Sequence, residues 1–158
     1  MKIYYALIHS VLTYCILIYK KGNETNNEKL FRIQKRILKI IHKTNSDKIM
    51  ECMTKSKVLN LDNAYNFKLL KLAHKIVFDK VNIPYFLKNV YKPKKMQNLR
   101  NKDDFDTPYC RTNIGQRTIS YSISKLWNEL PYEIKSEKNI KIFVRKMKQY
   151  LLKLQLNI

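Results

Sequence analysis

The sequence predicts a mainly α protein, a helical bundle with one small β-hairpin and a C-terminal helix, and three observations carry that prediction. Glycine occurs twice and proline four times in 158 residues, so long stretches lack the punctuation that a many-stranded β fold needs. Apolar residues recur at spacings of three, four and seven over those stretches, which aligns them on one side of an α-helix. The chain is 45% hydrophobic and 11% aromatic, enough to build a core that a disordered chain lacks. The length fits one compact domain or part of a larger one.

Residues 3–19 are almost wholly apolar. The run is at the lower limit for a membrane span, and His9, Ser10 and Thr13 interrupt it. A secretory signal needs a basic start and a small-residue cleavage site; only Lys2 precedes the run, and Lys20-Lys21 follows it with no A-x-A. A helix apolar all round is equally at home inside a protein, and that is the favoured reading. Gly22 to Asn27 reads as a loop. From Glu28 to Lys43, Leu30, Ile33, Ile37 and Ile40 form one apolar stripe, with Asn26 or Asn27 as a cap. A shorter helix starts at Ser46 and carries Ile49, Met50 and Met53. Asp62 is placed to cap a long helix in which Tyr65, Leu69 or Leu70, Ala73 and Val77 share a face.

Pro84 opens a short helix through Val90, and residues 91–106 are polar and read as loop. Tyr109 to Tyr121 alternates better than it spirals, with Asn113-Ile114-Gly115 between two short runs, and predicts a hairpin. Ile123 to Leu130 is a short helix stopped by Pro131. The last helix spans Asn139 to Leu154, with Ile140, Phe143, Met147, Tyr150 or Leu151, and Leu154 on its apolar side. The chain thus divides into a helical region 1–90, a polar loop 91–108, and a hairpin with helices over 109–158.

The net charge is +20, and it is unevenly placed. Residues 1–100 hold 21 Lys and Arg against 6 Asp and Glu; residues 101–137 hold 5 against 6; residues 138–158 hold 6 against none. Two basic blocks flanking a neutral one point to a polyanionic partner, nucleic acid or an anionic membrane surface. Part of the excess has a duller source, since Lys outnumbers Arg 26 to 6, as AT-rich coding sequence produces. The sharpest signal is a second stripe on the 28–43 helix. Arg32, Lys35, Arg36, Lys39 and Lys43 recur on one face, with scarcely a Glu among them, and can track a phosphate backbone. Lys141, Arg145 and Lys148 repeat the pattern on the last helix.

Catalytic and metal signatures are missing. There is no Walker-type phosphate loop, no zinc-protease helix and no nucleophile elbow. Cys15, Cys52 and Cys110 are too far apart for a zinc site or a disulfide framework, and read as buried or free thiols in a reducing compartment. His9, His42 and His74 are equally scattered. Asp103-Asp104 is the one adjacent acidic pair; with Asp106 it has the chemistry to hold Mg²⁺, but a solvated acidic turn is the preferred reading. No cofactor is expected. Trp127, beside Leu126 and Leu130, reads as a core anchor rather than a base-stacking platform.

Several segments, taken in order, resemble one family. Tyr5-Ala6-Leu7-Ile8-His9-Ser10-Val11-Leu12-Thr13-Tyr14 is similar to the segment that follows the polymerase palm in non-LTR, LINE-type (jockey-like) retrotransposon reverse transcriptases. Leu30-Phe31-Arg32-Ile33-Gln34-Lys35-Arg36-Ile37-Leu38-Lys39-Ile40-Ile41 resembles that family's next helix. Leu99-Arg100 and Arg111-Thr112-Asn113 follow. Leu126-Trp127-Asn128-Glu129-Leu130-Pro131, then Ile134, then Phe143-Val144-Arg145-Lys146-Met147-Lys148 with Tyr150-Leu151-Leu152, resemble its C-terminal end. The resemblance spans nearly the whole chain.

It implies a thumb-like helical region with a C-terminal extension, contacting a template–primer duplex or RNA through the backbone. It also implies a polymerase palm packing on residues 3–19. The family's catalytic carboxylates would lie upstream of Met1, and Asn101-Lys102-Asp103-Asp104 does not match them in first residue, context or order. The chain is therefore expected not to be an enzyme by itself, and to be intracellular, nuclear or cytoplasmic. The rival reading is a small basic protein anchored in a membrane by residues 3–19, with Lys20-Lys21 on the cytoplasmic side.

Overall fold

The computed structural model describes residues 1–22, 24–44, 48–78 and 104–156. The expected helix from Pro84 to Val90, residues 91–103 of the polar loop, the helix start at Ser46 and the Leu99-Arg100 pair lie outside them. Among the described residues there are helices and no strand, so the mainly α expectation holds. They group into two compact units, Met1–Phe67 with Lys148–Ile158, and Lys68–Met147.

The first unit opens on a π-helical turn, Tyr4–His9, followed by α1 (Ser10–Thr13) and α2 (Ile16–Tyr19). Residues 3–19 are thus not one continuous helix. Ser10 Oγ and Thr13 Oγ1 donate to the carbonyls of Ala6 and His9, a local bonding habit that bends helices. Cys15 then turns left-handed, at φ 50°. The Tyr19 hydroxyl donates to the Leu12 carbonyl across the break. Nor is the segment covered all round. Tyr4, Leu12 and Ile16 are buried, whereas Ile3, Leu7, Val11, Tyr14 and Ile18 are 63–77% exposed.

Helix α3 (Glu24–His42) begins earlier than expected, and Asn27 does not cap it. Asn27 lies inside the helix, buried, with Nδ2 donating 2.7 Å to the Lys20 carbonyl. Helix α4 (Ile49–Lys55) buries Ile49 and Met53 against Tyr4, Leu38 and Val58. Helix α5 (Leu61–Phe78) is capped by Asn60, whose Oδ1 accepts from Asn63 N at 2.8 Å. Asp62, the expected cap, instead pairs with Lys20 at 2.6 Å. Tyr65, Leu69, Leu70 and Ala73 are buried as expected.

Between α4 and α5, Val58-Leu59-Asn60 runs without helix and is buried. Its backbone groups need partners, because an unpaired buried peptide group costs about 1–3 kcal/mol. Two glutamines supply them. Gln34 Nε2 donates to the Leu59 carbonyl at 3.0 Å and to the Tyr4 hydroxyl at 2.9 Å. Gln155 Oε1 accepts from Asn60 N at 2.9 Å, and its Nε2 donates to the Val58 carbonyl at 3.3 Å. Gln155 belongs to the last helix, α9 (Ile140–Leu156). There Phe143, Met147 and Leu151 are buried, but Leu154 is 40% exposed and Gln155 takes its place inside.

The second unit contains α6 (Asn113–Gln116), α7 (Ile119–Asn128) and α8 (Tyr132–Lys135), with the ends of α5 and α9. The expected hairpin over 109–121 is overturned: Asn113-Ile114-Gly115 starts a helical turn. Thr112 is the reason. Its backbone is extended and its Oγ1 accepts from Gly115 N at 3.2 Å, the arrangement of a helix N-cap. Gly115 serves close packing rather than a positive φ, since a Cβ there would sit 3.1 Å from Cys110 Cβ. Trp127, 1% exposed, is the core anchor the sequence expects. Its ring packs near Phe105 and Phe143, and His74 stacks on Phe143 at 4.3 Å and Phe78 at 4.6 Å.

Candidate nucleic-acid interface

The faces of α3 differ from the sequence pattern. Asn27, Gln34 and Leu38 form its buried line, and Leu30 and Ile37 are half-buried beside it. Ile33 and Ile40, expected inside, are 50% and 71% exposed. The cause is Gln34: its two hydrogen bonds to Tyr4 and Leu59 turn an amide inward, and two isoleucines rotate outward. The exposed line is therefore mixed, with Arg32, Arg36 and Lys43 beside Ile33 and Ile40. Lys35 and Lys39, on its flank, are half-buried.

Electrostatics separate these cations. Arg32 meets Glu28 one turn earlier at 3.2 Å, both well exposed, so its charge is partly answered within the helix. Lys35 Nζ stands 4.2 Å from the centre of the Phe31 ring, a cation–π contact that lays its stem along the helix. Among the described residues no carboxylate lies within ion-pairing distance of Arg36, Lys39 or Lys43. Lys43 sits at φ 50° just past the end of α3, where Thr44 N donates to the Lys39 carbonyl. The negative end of the helix dipole favours a cation there.

On α9, Lys141 and Arg145 are exposed and belong to the second unit, while Lys148 is half-buried and belongs to the first. The first unit therefore holds Arg32, Lys35, Arg36, Lys39, Lys43 and Lys148 together. Lys148 Nζ lies 5.9 Å from the centre of the Tyr5 ring. Burial, then the nearby Lys57 charge, pushes its pKa below the usual lysine range. Lys57 carries no helical periodicity, and sequence reasoning missed it; its one signal is a lysine two residues past the end of a short helix.

Of the acidic set Asp103, Asp104 and Asp106, the last two are described. Asp104 is not a solvated turn residue: its Oδ1 lies 2.8 Å from Lys135 Nζ, and both side chains are largely buried. Lys135 also donates to the Asn128 carbonyl at 2.9 Å. Asp103 lies outside the described residues. Among the described residues no three His, Cys, Asp or Glu side chains converge as a metal site requires. Cys15, Cys52 and Cys110 are free thiols, and Cys15 is exposed.

The Leu126-to-Pro131 segment has a structural logic of its own. Trp127 and Leu130 are buried. The Asn128 amide brackets Phe105, donating to its carbonyl at 3.0 Å and accepting from its N–H at 2.9 Å. The chain matches no family model, no curated protein and no solved structure.

Proposed function

We propose that this chain contacts nucleic acid through its phosphate backbone, as a C-terminal segment, downstream of the catalytic palm, of a non-LTR retrotransposon reverse transcriptase. The observation that carries the reading is a set of cations on α3 and at its C-terminal end that have no carboxylate partner among the described residues. Arg36 and Lys39 lie about one turn apart on α3 and Lys43 just past its end, where a solvated surface ordinarily intersperses both signs. The ordered resemblance over the chain suggests the family, with residues 1–90 in the role of a thumb. The exposed line Ile3, Leu7, Val11, Tyr14 and Ile18 supports a polymerase palm as the surface that covers residues 3–19. The chain alone performs no chemistry on this reading; it positions a template–primer duplex or RNA. A membrane anchor has less support. The break at Tyr14 and Cys15 divides residues 3–19, and among the described residues no helix is long and apolar enough to cross a membrane.

The test is a salt series. Each neutralised phosphate releases a counterion, contributing about −0.9 to the slope of log K against log salt on B-DNA. Arg36→Gln, Lys39→Gln and Lys43→Gln together should flatten the slope by up to about 2.7, equally for all sequences, because phosphate contacts carry no base information. Fluorescence anisotropy against a duplex and an RNA–DNA hybrid measures it. An unchanged slope in a folded triple variant returns this face to ordinary solvated helix.

A further inference from the structure

Lys57 and Lys148 lie outside the α3 face, and among the described residues neither forms an ion pair with a carboxylate. Helix α4 ends in a Schellman turn. Lys57 N donates to the Thr54 carbonyl at 2.9 Å and Val58 N to the Met53 carbonyl at 2.8 Å, while Lys57 itself sits left-handed at φ 55°. Glycine is the usual occupant of that position, because a side chain there is strained. Tyr5 ties this lysine to a second one. Its hydroxyl donates to the Lys57 carbonyl at 3.0 Å, and its ring lies 5.9 Å from Lys148 Nζ.

We propose that Lys57 and Lys148 together grip one phosphate group, with Tyr5 as the platform that holds both. A nucleic-acid backbone as the source of that phosphate rests on the function proposed above; free phosphate shares the chemistry. Three observations meet here. Tyr5 touches the Lys57 backbone and lies beside the Lys148 ammonium, the Lys57 charge is near enough to act on Lys148, and among the described residues no carboxylate is within ion-pairing distance of either. Lys148 is half-buried, so its charge loses hydration that a bound anion restores, in keeping with its lowered pKa. The end of α4 favours a cation at Lys57, which accounts for that residue alone. Lys148 stands mid-helix on α9, where no dipole end compensates it.

The test uses the full chain and the variants Lys57→Gly, Lys148→Gln and both together. Lys57→Gly removes the ammonium and relieves the left-handed strain, so it should raise the melting temperature while weakening binding, a pairing that unfolding cannot produce. Against single-stranded DNA, each variant should lower the salt slope by about 0.7, one phosphate's worth. The double variant should lose no more than either single, because both residues hold the same group. In a parallel arm, pyrophosphate alone is titrated while the lysine side-chain NMR signals, assigned from the variants, are followed; both should move together in the wild type.

DNA binding with an unchanged slope in the folded variants, and still signals with pyrophosphate, overturns the pair while leaving the proposed function standing. Pyrophosphate shifts without any DNA binding by the wild type keep the pair as a site for free phosphate and overturn the nucleic-acid reading. Still signals and no DNA binding overturn both.

Discussion

The N-terminal segment and α7 are both apolar, and they use their apolar residues in opposite ways. In α7, Ile123 and Trp127 are buried, with Leu130 just beyond the helix. In residues 3–19, Tyr4, Leu12 and Ile16 face inward, while Ile3, Leu7, Val11, Tyr14 and Ile18 face out at 63–77% exposure. A helix with one apolar stripe needs one neighbour; a segment apolar all round needs two. The difference teaches that a run of hydrophobic residues reports how many surfaces a segment is built to meet, and the first unit supplies cover for one side only. An exposed line of this kind marks an interaction surface or an aggregation liability.

Trp127→Ala probes the covered extreme. A fully buried aromatic replaced by alanine costs roughly 3–5 kcal/mol, so urea unfolding should show a loss of that size, with any loss of DNA binding tracking unfolding. A folded Trp127→Ala protein with selectively weaker single-strand binding would make the indole a stacking surface and break the comparison.

A smaller effect comes from His74, stacked between Phe78 and Phe143 in the same unit and 2% exposed. Burial holds its pKa below the usual histidine range, against the opposing bond to the Glu137 carbonyl and the Glu137 charge. The unfolded chain therefore binds this proton first. The contribution is fully present above the ordinary histidine value of ~6.5 and is lost as pH falls below it. Wild-type stability should drop as pH falls from neutral through the ordinary histidine value of ~6.5, and His74→Gln should flatten that part of the curve. Equal pH dependence in the two proteins, followed by urea midpoints, would show that His74 is protonated as readily folded as unfolded.

The smallest effect on stability is expected at the bare side of residues 3–19. Leu7→Gln, Val11→Gln and Ile18→Gln should each change folding free energy by no more than about 0.5 kcal/mol, while reducing self-association in sedimentation. A loss of several kcal/mol would mean that these side chains already have a partner within the chain, and the contrast with α7 would vanish.

The helices were legible from period and punctuation; their faces were less so. Over α3 the apolar spacing of Leu30, Ile33, Ile37 and Ile40 suggested one inward stripe, but Gln34 occupies the core because the non-helical Val58–Asn60 stretch requires its amide. Gln155 displaces Leu154 on α9 for the same reason. Such exchanges depend on a backbone segment distant in sequence, and hydrophobic periodicity carries no trace of them. The hairpin failed where alternation competed with a threonine cap: Thr112 satisfies Gly115 N locally, and a local bond outweighed a weak two-residue period. Of the candidate interface, Arg36, Lys39 and Lys43 were visible as spacing. Lys57 was not, because its place comes from the turn that ends α4 and from Tyr5.

The two amides that anchor Val58–Asn60 also set the order in which the protein can be made. Gln34 is available early, but Gln155 lies 95 residues beyond Asn60, and Asn63 waits for the Leu151 carbonyl across 88. On a ribosome the first unit cannot finish until its residues from Lys148 onward have been made, whereas the second, Lys68–Met147, has its residues complete sooner. Contacts this far apart in sequence close slowly. A stop after Met147 would leave the Asn60 amide and the Val58 carbonyl without their glutamine, and Met1–Phe67, made before the second unit, would be the part left unfinished.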